Sequence, residues 1–219
     1  MFVEAGFTVY TRGFPRFFEA IAKCLFRVEI DGVWSAGERK DGVGDGRTGL
    51  TEWTPESWYE NCLSTALKRL QTEALTRSKR GKKVIFIGNG GSASICSHMA
   101  TDWTKNGGIR TVSLPDAPMI TCLGNDFGFE NVFAKMLSFY AHQGDLVIII
   151  STSGTSPNIR AAAQEANKLG LDSVTFSGMD PDNPLRRNGR LRFYVPSGDY
   201  GLVELSHACL LHSIVSVTR

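Results

Sequence analysis

The sequence predicts an α/β fold in which a mostly parallel sheet is covered by helices on both faces. Short apolar runs of strand length alternate with helix-length segments from residue 84 onward. Two of these runs, 84–87 and 146–150, are apolar throughout, as expected for strands that are buried on both faces. Each of the two continues through a loop rich in Gly, Ser or Asn into a helix-like segment.

The N-terminal part of the chain lacks this regular alternation. One helix is predicted there, from Pro15 to Arg27. The segment 31–51 is rich in Gly, Asp, Arg and Lys and has no apolar period, so it is predicted to be a loop. Residues 1–55 are therefore expected to form an N-terminal helix with an irregular extension, and residues 56–219 the globular domain.

The predicted elements of the body follow from their start and stop signals. A helix is predicted over 54–78, because Thr54, Pro55 and Glu56 supply a cap residue, a proline and a carboxylate in order, and Arg80-Gly81 ends it. The other predicted elements are strands 84–87, 110–113, 146–151, 173–177 and 191–195 and helices 92–105, 117–124, 129–141, 156–169 and 202–217.

Composition and charge exclude several classes of function. The 24 basic and 22 acidic residues are spread along the chain and give a net charge of +2, without the basic stripe that a nucleic-acid partner requires. No apolar run reaches membrane-spanning length, and the N-terminus has no secretory leader pattern. A cytoplasmic protein that binds neither nucleic acid nor membrane is expected.

The five cysteines indicate neither a disulfide framework nor a structural zinc site. They lie at positions 24, 62, 96, 122 and 209, an odd number without a Cys-x-x-Cys pair. They are predicted to be reduced and mostly buried.

Two polar loops at strand ends predict a phosphorylated ligand. The first is Gly88–Ser92 and the second is Ser151–Ser156, and a strand that opens onto a helix N-terminus aims backbone N–H groups at one spot. Neither loop has the spacing of an ATP or dinucleotide motif, so no nucleotide cofactor is expected. The first loop is suited to sugar hydroxyls and the second to a phosphate monoester; the alternative is that both are ordinary turns with capping serines.

Five motifs in order resemble the phosphoheptose isomerases of the sugar isomerase (SIS) domain family over about residues 56–217. The motifs are Gly88-Asn89-Gly90-Gly91-Ser92, Ser97-His98-Met99-Ala100-Thr101-Asp102, Gly124-Asn125-Asp126, Ser151-Thr152-Ser153-Gly154-x-Ser156-Pro157-Asn158, and Glu204 with His212. The resemblance implies a flavodoxin-like three-layer α/β/α sandwich and a homotetramer with active sites between subunits. It also implies interconversion of sedoheptulose 7-phosphate and D-glycero-D-manno-heptose 7-phosphate for nucleotide-heptose and surface polysaccharide synthesis.

The catalytic candidates are Asp102 and His212. A ketose–aldose isomerase needs a base for a carbon-bound proton and a second group for the hydroxyl protons. His98 and Asp102 are four residues apart and so share one helix face, although alone they could be a packed histidine and a solvated carboxylate. The resembling family has a catalytic glutamate at the position of Asp102, which is one methylene shorter, and a proton-shuttling histidine at His212.

Glu204 lies eight residues before His212, about 80° around the helix axis, near enough to border the same cleft. The resembling family has glutamine at this position. His207 lies about 140° from His212 and is predicted to be structural or at a subunit contact.

A zinc ion, one per subunit, is predicted from the donor set. Two imidazoles and two carboxylates suit tetrahedral zinc, and some phosphoheptose isomerases hold zinc at the equivalent positions. The predicted ligands are His98, Asp102, Glu204 and His212. The alternative is a metal-free group that only transfers protons.

The remaining motif residues take substrate-binding roles from the resemblance. Asn89, Gly90, Gly91 and Ser92 would line the sugar. His98, Asp102 and Glu204 are also predicted to bind the substrate. Asn125 and Asp126 would bind hydroxyls, although Asp126 could instead cap a helix near Phe129. The phosphate would be bound by Ser151, Thr152, Ser153 and Ser156. Trp103 is predicted to be a packing residue.

Two other functions remain open on the sequence. The chain could be a non-catalytic family member that binds a replication initiator protein, or a sugar-phosphate sensor. A sensor would need the second loop but neither Asp102 nor His212. Because both are present, the enzyme is favoured.

Overall fold

Six strands form one sheet in the part of the chain that the structure describes. The computed structural model describes residues 29–32, 63–114 and 116–216. The strands are β1 Glu29–Gly32, β2 Val84–Gly88, β3 Thr111–Ser113, β4 Leu146–Ser151, β5 Asp172–Gly178 and β6 Leu191–Val195. Their order across the sheet is β1-β6-β5-β4-β2-β3; β2 to β6 are parallel, and β1 pairs antiparallel with β6.

Helices cover both faces of this sheet. They are α1 Ser64–Lys79, α2 Gly90–Lys105, α3 Ala117–Phe127, α4 Val132–Tyr140, α5 Pro157–Lys168 and α6 Tyr200–Ser216. Side chains of α1, α2 and α6 pack in the buried cluster on one face, and those of α3, α4 and α5 in the cluster on the other. The predicted three-layer α/β/α sandwich is therefore confirmed.

The strand order identifies where a ligand binds in such a fold. Without β1, the order β3-β2-β4-β5-β6 is that of flavodoxin-like proteins, whose ligand site lies where the order reverses, outside the carboxyl ends of the strands. Here that point lies between β2 and β4. The two loops predicted to bind substrate leave the sheet at this point.

The strands and helices form where residue type and pairing agree. Every residue of β2 and of β4 is buried, which explains why their sequences are continuously apolar instead of alternating. On one face, Phe86 of β2 meets Trp103 of α2 edge-on, with ring centroids 5.1 Å apart. Since such a pair buries a large apolar area, it fixes α2 against the sheet.

Strand β1 corrects the predicted loop. Asp31 and Gly32, expected to begin an irregular segment, pair with Arg192 and Leu191 of β6. A four-residue edge strand gains its stability from pairing with β6, and that partner lies far along the chain. Residues 29–32 thus join the sheet. The predicted helix 15–27, residues 33–51 and Pro55 lie outside the described residues. The domain boundary at residue 55 stays a prediction.

The described cysteines differ from expectation. Cys96 is buried, and burial raises the pKa of its thiol, but Cys122 and Cys209 are exposed; all three are free. The prediction that most thiols are buried is therefore wrong for the described part of the chain. In the same part of the chain, none of the helices has the length and apolar character that would let it span a bilayer.

Candidate active site

The two predicted loops lie side by side at the carboxyl edge of the sheet. Strands β2 and β4 are direct neighbours, with Gly88 at the end of β2 opposite Ile150 in β4. The first loop turns directly into α2. The turn is tight, since a Cβ added to Gly88 would lie 2.8 Å from the backbone of Ser92. Ser92, predicted to line the sugar, is itself buried in the first turn of α2.

A carboxylate of the chain occupies the N-terminal end of α2. A Cβ added to Gly91 would lie 2.6 and 2.7 Å from the two carboxylate oxygens of Glu204. Glycine at this position therefore leaves room for the carboxylate, and the positive end of the helix favours a negative group there. The carboxyl group of Glu204 therefore lies at the start of α2, beside the first loop.

The second loop presents hydroxyls and backbone N–H groups around a tight turn. The backbone N–H of Gly154 donates to Ser151 Oγ at 3.1 Å, and Thr155 Oγ1 donates to Ser153 Oγ at 3.0 Å. The side chain of Ser156 makes no capping bond to α5, whereas Ser151 and Ser153 accept hydrogen bonds from N–H groups of the turn itself.

Thr152 stands out among the hydroxyls of this loop. Thr152 is 5% exposed, and its Oγ1 is buried without a hydrogen-bond partner among the described residues. A buried hydroxyl without a partner costs free energy, so its retention is consistent with a partner that a ligand supplies.

Asn183 packs against the second loop at Gly154. Gly154 has a φ of +66°, and a Cβ there would lie 2.0 Å from Asn183 Oδ1. Asn183 is buried; its Nδ2 donates to the carbonyl of Asp180 at 2.7 Å, and its Oδ1 accepts from the backbone N–H of Arg186 at 3.0 Å. Sequence reasoning missed this residue, because its contact with the loop spans 29 positions and matches no local motif.

Three of the predicted site residues converge on one point between α2 and α6. His212 Nδ1 lies 3.5 Å from Asp102 Oδ2, and His98 Nε2 lies 3.7 Å from the same oxygen. The two imidazole rings are 5.1 Å apart at their centroids. The neighbouring Asn106 donates from Nδ2 to the other oxygen, Asp102 Oδ1, at 3.2 Å, so the carboxylate is held with Oδ2 toward both histidines.

The geometry of this trio suits a metal ion. Donors about 2.1 Å from a tetrahedral zinc ion lie about 3.4 Å apart, close to the two measured separations from Asp102. The three donor atoms all lie within 4.8 Å of one another. Glu204, the fourth predicted ligand, is not a member of this group among the described residues; its carboxylate lies against Gly91.

Asn125 and Asp126 are exposed in the last turn of α3. Asn125 Nδ2 donates to Asp126 Oδ1 at 2.9 Å, and Cys122 Sγ lies 3.7 Å from Asp126 Oδ2. The alternative in which Asp126 caps a helix near Phe129 is wrong, since Gly128 is the cap residue there and no side chain caps that turn.

The SIS-domain family model matches residues 59–178, more than half of the chain. The chain belongs to the SIS-domain family. Among its relatives, a phosphoheptose isomerase of Citrifermentans bemidjiense is 30% identical over 163 residues, which are 72% of this chain and 84% of that protein. A phosphoheptose isomerase of Fusobacterium nucleatum is 36% identical over 141 residues, 62% of this chain and 72% of that protein.

A solved structure of the phosphoheptose isomerase from Neisseria gonorrhoeae has a similar fold. Its TM-score is 0.67 at 26% identity, over 75% of this chain and 91% of that one. The resemblance of this SIS domain to the phosphoheptose isomerases is thus confirmed by sequence and by structure.

His207 points away from the trio, as the helical wheel predicts. It is fully buried, with Nε2 3.1 Å from the carbonyl oxygen of Ser177 and its ring edge-on to Phe176 at 5.8 Å. The pKa of His207 is lowered to about 4, because the effect of burial exceeds the opposing effect of the hydrogen bond to Ser177. Its role among the described residues is structural.

One further contact of the SIS domain joins the two loops and was missed from the sequence. Asn89 and Asn158 exchange two side-chain hydrogen bonds across 69 positions. The only signal available was the Ser-Pro-Asn run that opens α5, which reads equally well as an ordinary helix start.

Proposed function

We propose that this protein interconverts sedoheptulose 7-phosphate and D-glycero-D-manno-heptose 7-phosphate, a step toward nucleotide-heptose and surface polysaccharide. The observation that carries the proposal is the 3.5 Å approach of His212 to Asp102, beside two loops suited to a sugar and its phosphate. The identity of the substrate is inferred from relatives named phosphoheptose isomerase, which are 30% and 36% identical to this chain.

The reaction moves one carbon-bound proton and one hydroxyl proton. Asp102 takes the proton from C1 of the ketose, which gives a 1,2-enediol, and returns it to C2. His212 relays the proton between the oxygens on C1 and C2. A positioned acid or base of this kind contributes about 10²–10⁴ in rate. Asn106 holds the carboxylate so that Oδ2 faces the imidazole, which limits the motion of the shorter aspartate side chain.

The phosphate is proposed to bind in the second loop. Hydroxyls of Ser151, Thr152 and Ser153 and the first N–H groups of α5 supply hydrogen-bond donors and the positive helix end. The partnerless hydroxyl of Thr152 is the observation that favours a ligand here. With Glu204 already at the start of α2, the orientation of the substrate follows: sugar end at the first loop, phosphate at the second.

Zinc is proposed to bind to His98, Asp102 and His212. The fit rests on the separations of their donor atoms. When bound, zinc supplies a Lewis acid that polarises the substrate's carbonyl and hydroxyl oxygens. The second oxygen of Asp102 and the second ring nitrogen of His212 would still be available to hold and move the protons.

A homotetramer with sites between subunits is proposed as the assembly. Leu205 is 41% exposed and Cys209 is exposed on α6, seven and three residues before His212 and therefore on the same side of the helix. An exposed apolar face beside a catalytic residue is what a neighbouring subunit would cover. Light scattering of the purified protein measures the subunit number, and a monomer at micromolar concentration would contradict this part.

The proposal is tested by incubating the purified protein with sedoheptulose 7-phosphate and detecting the aldose product. Turnover is expected at a rate typical of enzymes, about 1–10³ s⁻¹. Binding without turnover would contradict catalysis and indicate a sugar-phosphate sensor. Absence of binding would contradict the sugar-phosphate site altogether and favour a protein-binding family member.

A further inference from the structure

The amide side chains of Asn89 and Asn158 form a closed pair between the two loops. Asn89 Nδ2 donates to Asn158 Oδ1 at 2.8 Å, and Asn158 Nδ2 donates back to Asn89 Oδ1 at 3.0 Å. Asn89 precedes the first residue of α2, and Asn158 is the second residue of α5. The pair therefore spans the crevice between the carboxyl ends of β2 and β4, where a ligand binds in this fold.

Neither amide serves its own helix. Asn89 is at the cap position of α2 with extended backbone angles, φ −107° and ψ 153°, yet its side chain makes no capping bond. Asparagine there would normally accept a hydrogen bond from an N–H of its own helix and stabilise the helix start. The side chain bonds Asn158 of the other loop instead, so its contribution is to the contact between the two loops and not to capping α2.

The pair leaves half of the Asn89 amide for a ligand. An amide side chain has two N–H donors and an oxygen with two lone pairs, and the pair uses one of each. Asn158 is 2% exposed, so almost none of its side chain is accessible to a ligand as the structure stands. Asn89 is more open and can offer one N–H and one lone pair to a sugar hydroxyl.

The pair also couples the orientation of the two amides. With Asn158 as it stands, turning the Asn89 amide alone by 180° would put oxygen against oxygen and N–H against N–H, and would lose both bonds. The Asn89 amide is therefore held in the plane of the pair, and its free donor and free acceptor exchange places only if both amides turn together.

We infer that Asn158 is a positioning residue for substrate: it orients the amide of Asn89 for the sugar hydroxyls and ties the sugar loop to the phosphate loop. The inference deepens the proposed function and rests on it, since the ligand is the sugar phosphate of that same site. Asn158 itself does not touch the substrate. Its effect is on KM, through Asn89.

Asn158→Asp separates this role from a merely structural one. The substituted side chain has the same shape but, when ionised, only accepts, so either orientation of Asn89 leaves one pair of oxygens facing each other. When protonated, its O–H can donate to Asn89 Oδ1 and the closed pair returns. Because burial raises the pKa of a carboxyl, this return falls within a measurable range of pH. Glu204, the carboxylate beside the first loop at Gly91, is the same in both proteins, so the ratio of variant to wild-type KM reports on the substituted side chain.

The experiment measures KM and kcat from pH 5.5 to 8.5 for the wild type, Asn158→Asp, Asn158→Leu, and Asn167→Asp as the control. Asn167 is exposed near the end of the same helix, so its substitution makes the same charge change away from the crevice. At pH 8, both variants at Asn158 are expected to raise KM about tenfold with kcat changed less than about threefold, as loss of one oriented hydrogen bond implies. The ratio of KM values should fall toward one on acidification for Asn158→Asp alone.

Asn89→Ala completes the test. If Asn158 acts through Asn89, Asn89→Ala combined with Asn158→Leu should raise KM no more than Asn89→Ala alone. KM values of both Asn158 variants within twofold of the wild type would overturn the inference. So would equal losses of kcat and thermal stability without recovery at low pH. A wild type that neither binds nor converts the sugar phosphate would instead overturn the proposed function, and this inference with it.

Discussion

The indole Nε1 of Trp103 donates a 3.1 Å hydrogen bond to the backbone carbonyl of Leu211, across the interface between α2 and α6. Trp103 directly follows Asp102, and Leu211 directly precedes His212. The bond therefore sets the register of the two helices at the point where the carboxylate and the imidazole meet. It is fully buried, where a directed hydrogen bond is worth more than at the surface.

Trp103→Phe keeps an aromatic ring but removes the donor. We expect the free energy of unfolding to fall by about 1–3 kcal/mol and kcat to fall at least tenfold, because small displacements of catalytic groups are costly. Denaturant unfolding and steady-state kinetics measure the two effects. Phe133→Leu, in the buried cluster on the other face of the sheet, is the control and should lose stability with kcat unchanged. Equal effects of both variants on kcat would show that Trp103 acts through stability alone.

His212→Ala tests the proton relay. Turnover should fall by about 10²–10⁴, while the dissociation constant for the sugar phosphate, measured by calorimetry, changes only a few-fold. His142→Ala is the matched control, since His142 lies near Lys83 at the start of β2, at the opposite edge of the sheet, with Nδ1 3.3 Å from the lysine Nζ. Wild-type turnover in His212→Ala would remove it from the mechanism.

Thr152→Val should change stability and binding in opposite ways. The substitution removes a buried hydroxyl that has no partner among the described residues, so the unfolding free energy should stay equal or rise. KM should rise about tenfold, because the hydroxyl is proposed to bind phosphate. Thr175→Val is the control: its Oγ1 donates to the carbonyl of Asn188 at 2.9 Å, so it should lower stability and leave KM unchanged. An unchanged KM in Thr152→Val would place the phosphate elsewhere.

Metal analysis tests the proposed zinc site. Protein purified without chelator should contain about one zinc ion per subunit, and His98→Ala should reduce that content, whereas His142→Ala should not. A zinc content near zero together with full activity would remove the metal from the mechanism and leave proton transfer to the side chains alone.

His207 makes stability depend on pH. Its pKa falls from 6.5 in the unfolded chain to about 4 in the folded protein, so below pH 6.5 the unfolded state binds a proton that the folded state does not. The stability contribution is complete above pH 6.5 and is lost as the pH falls toward 4, by about 3 kcal/mol. The wild type should therefore lose about 3 kcal/mol more than His207→Gln between pH 7 and pH 4 in denaturant unfolding. Parallel pH profiles for the two proteins would contradict this account.

The site illustrates how far local sequence reasoning reaches. The spacing of His98 and Asp102 predicts a shared helix face, and both side chains lie with His212 within 4.8 Å. Helical spacing also predicts Glu204 beside them, but the carboxylate of Glu204 lies at Gly91. The positive end of α2 and the absence of a side chain on Gly91 favour that position. Helical periodicity gives the direction of a side chain around one axis and not its depth against a second helix.

The sequence by itself determined the layers of the fold, the parallel strands and the position of the two loops, because apolar period, glycines and helix start signals act within a few residues of one another. Only the tertiary structure decided the added strand β1, the pairing of Asn89 with Asn158, and the bond from Trp103 to Leu211. Each of these joins groups that are 69 or more positions apart in the chain. Their partners are fixed by how the sheet and helices pack, and no local pattern encodes that packing.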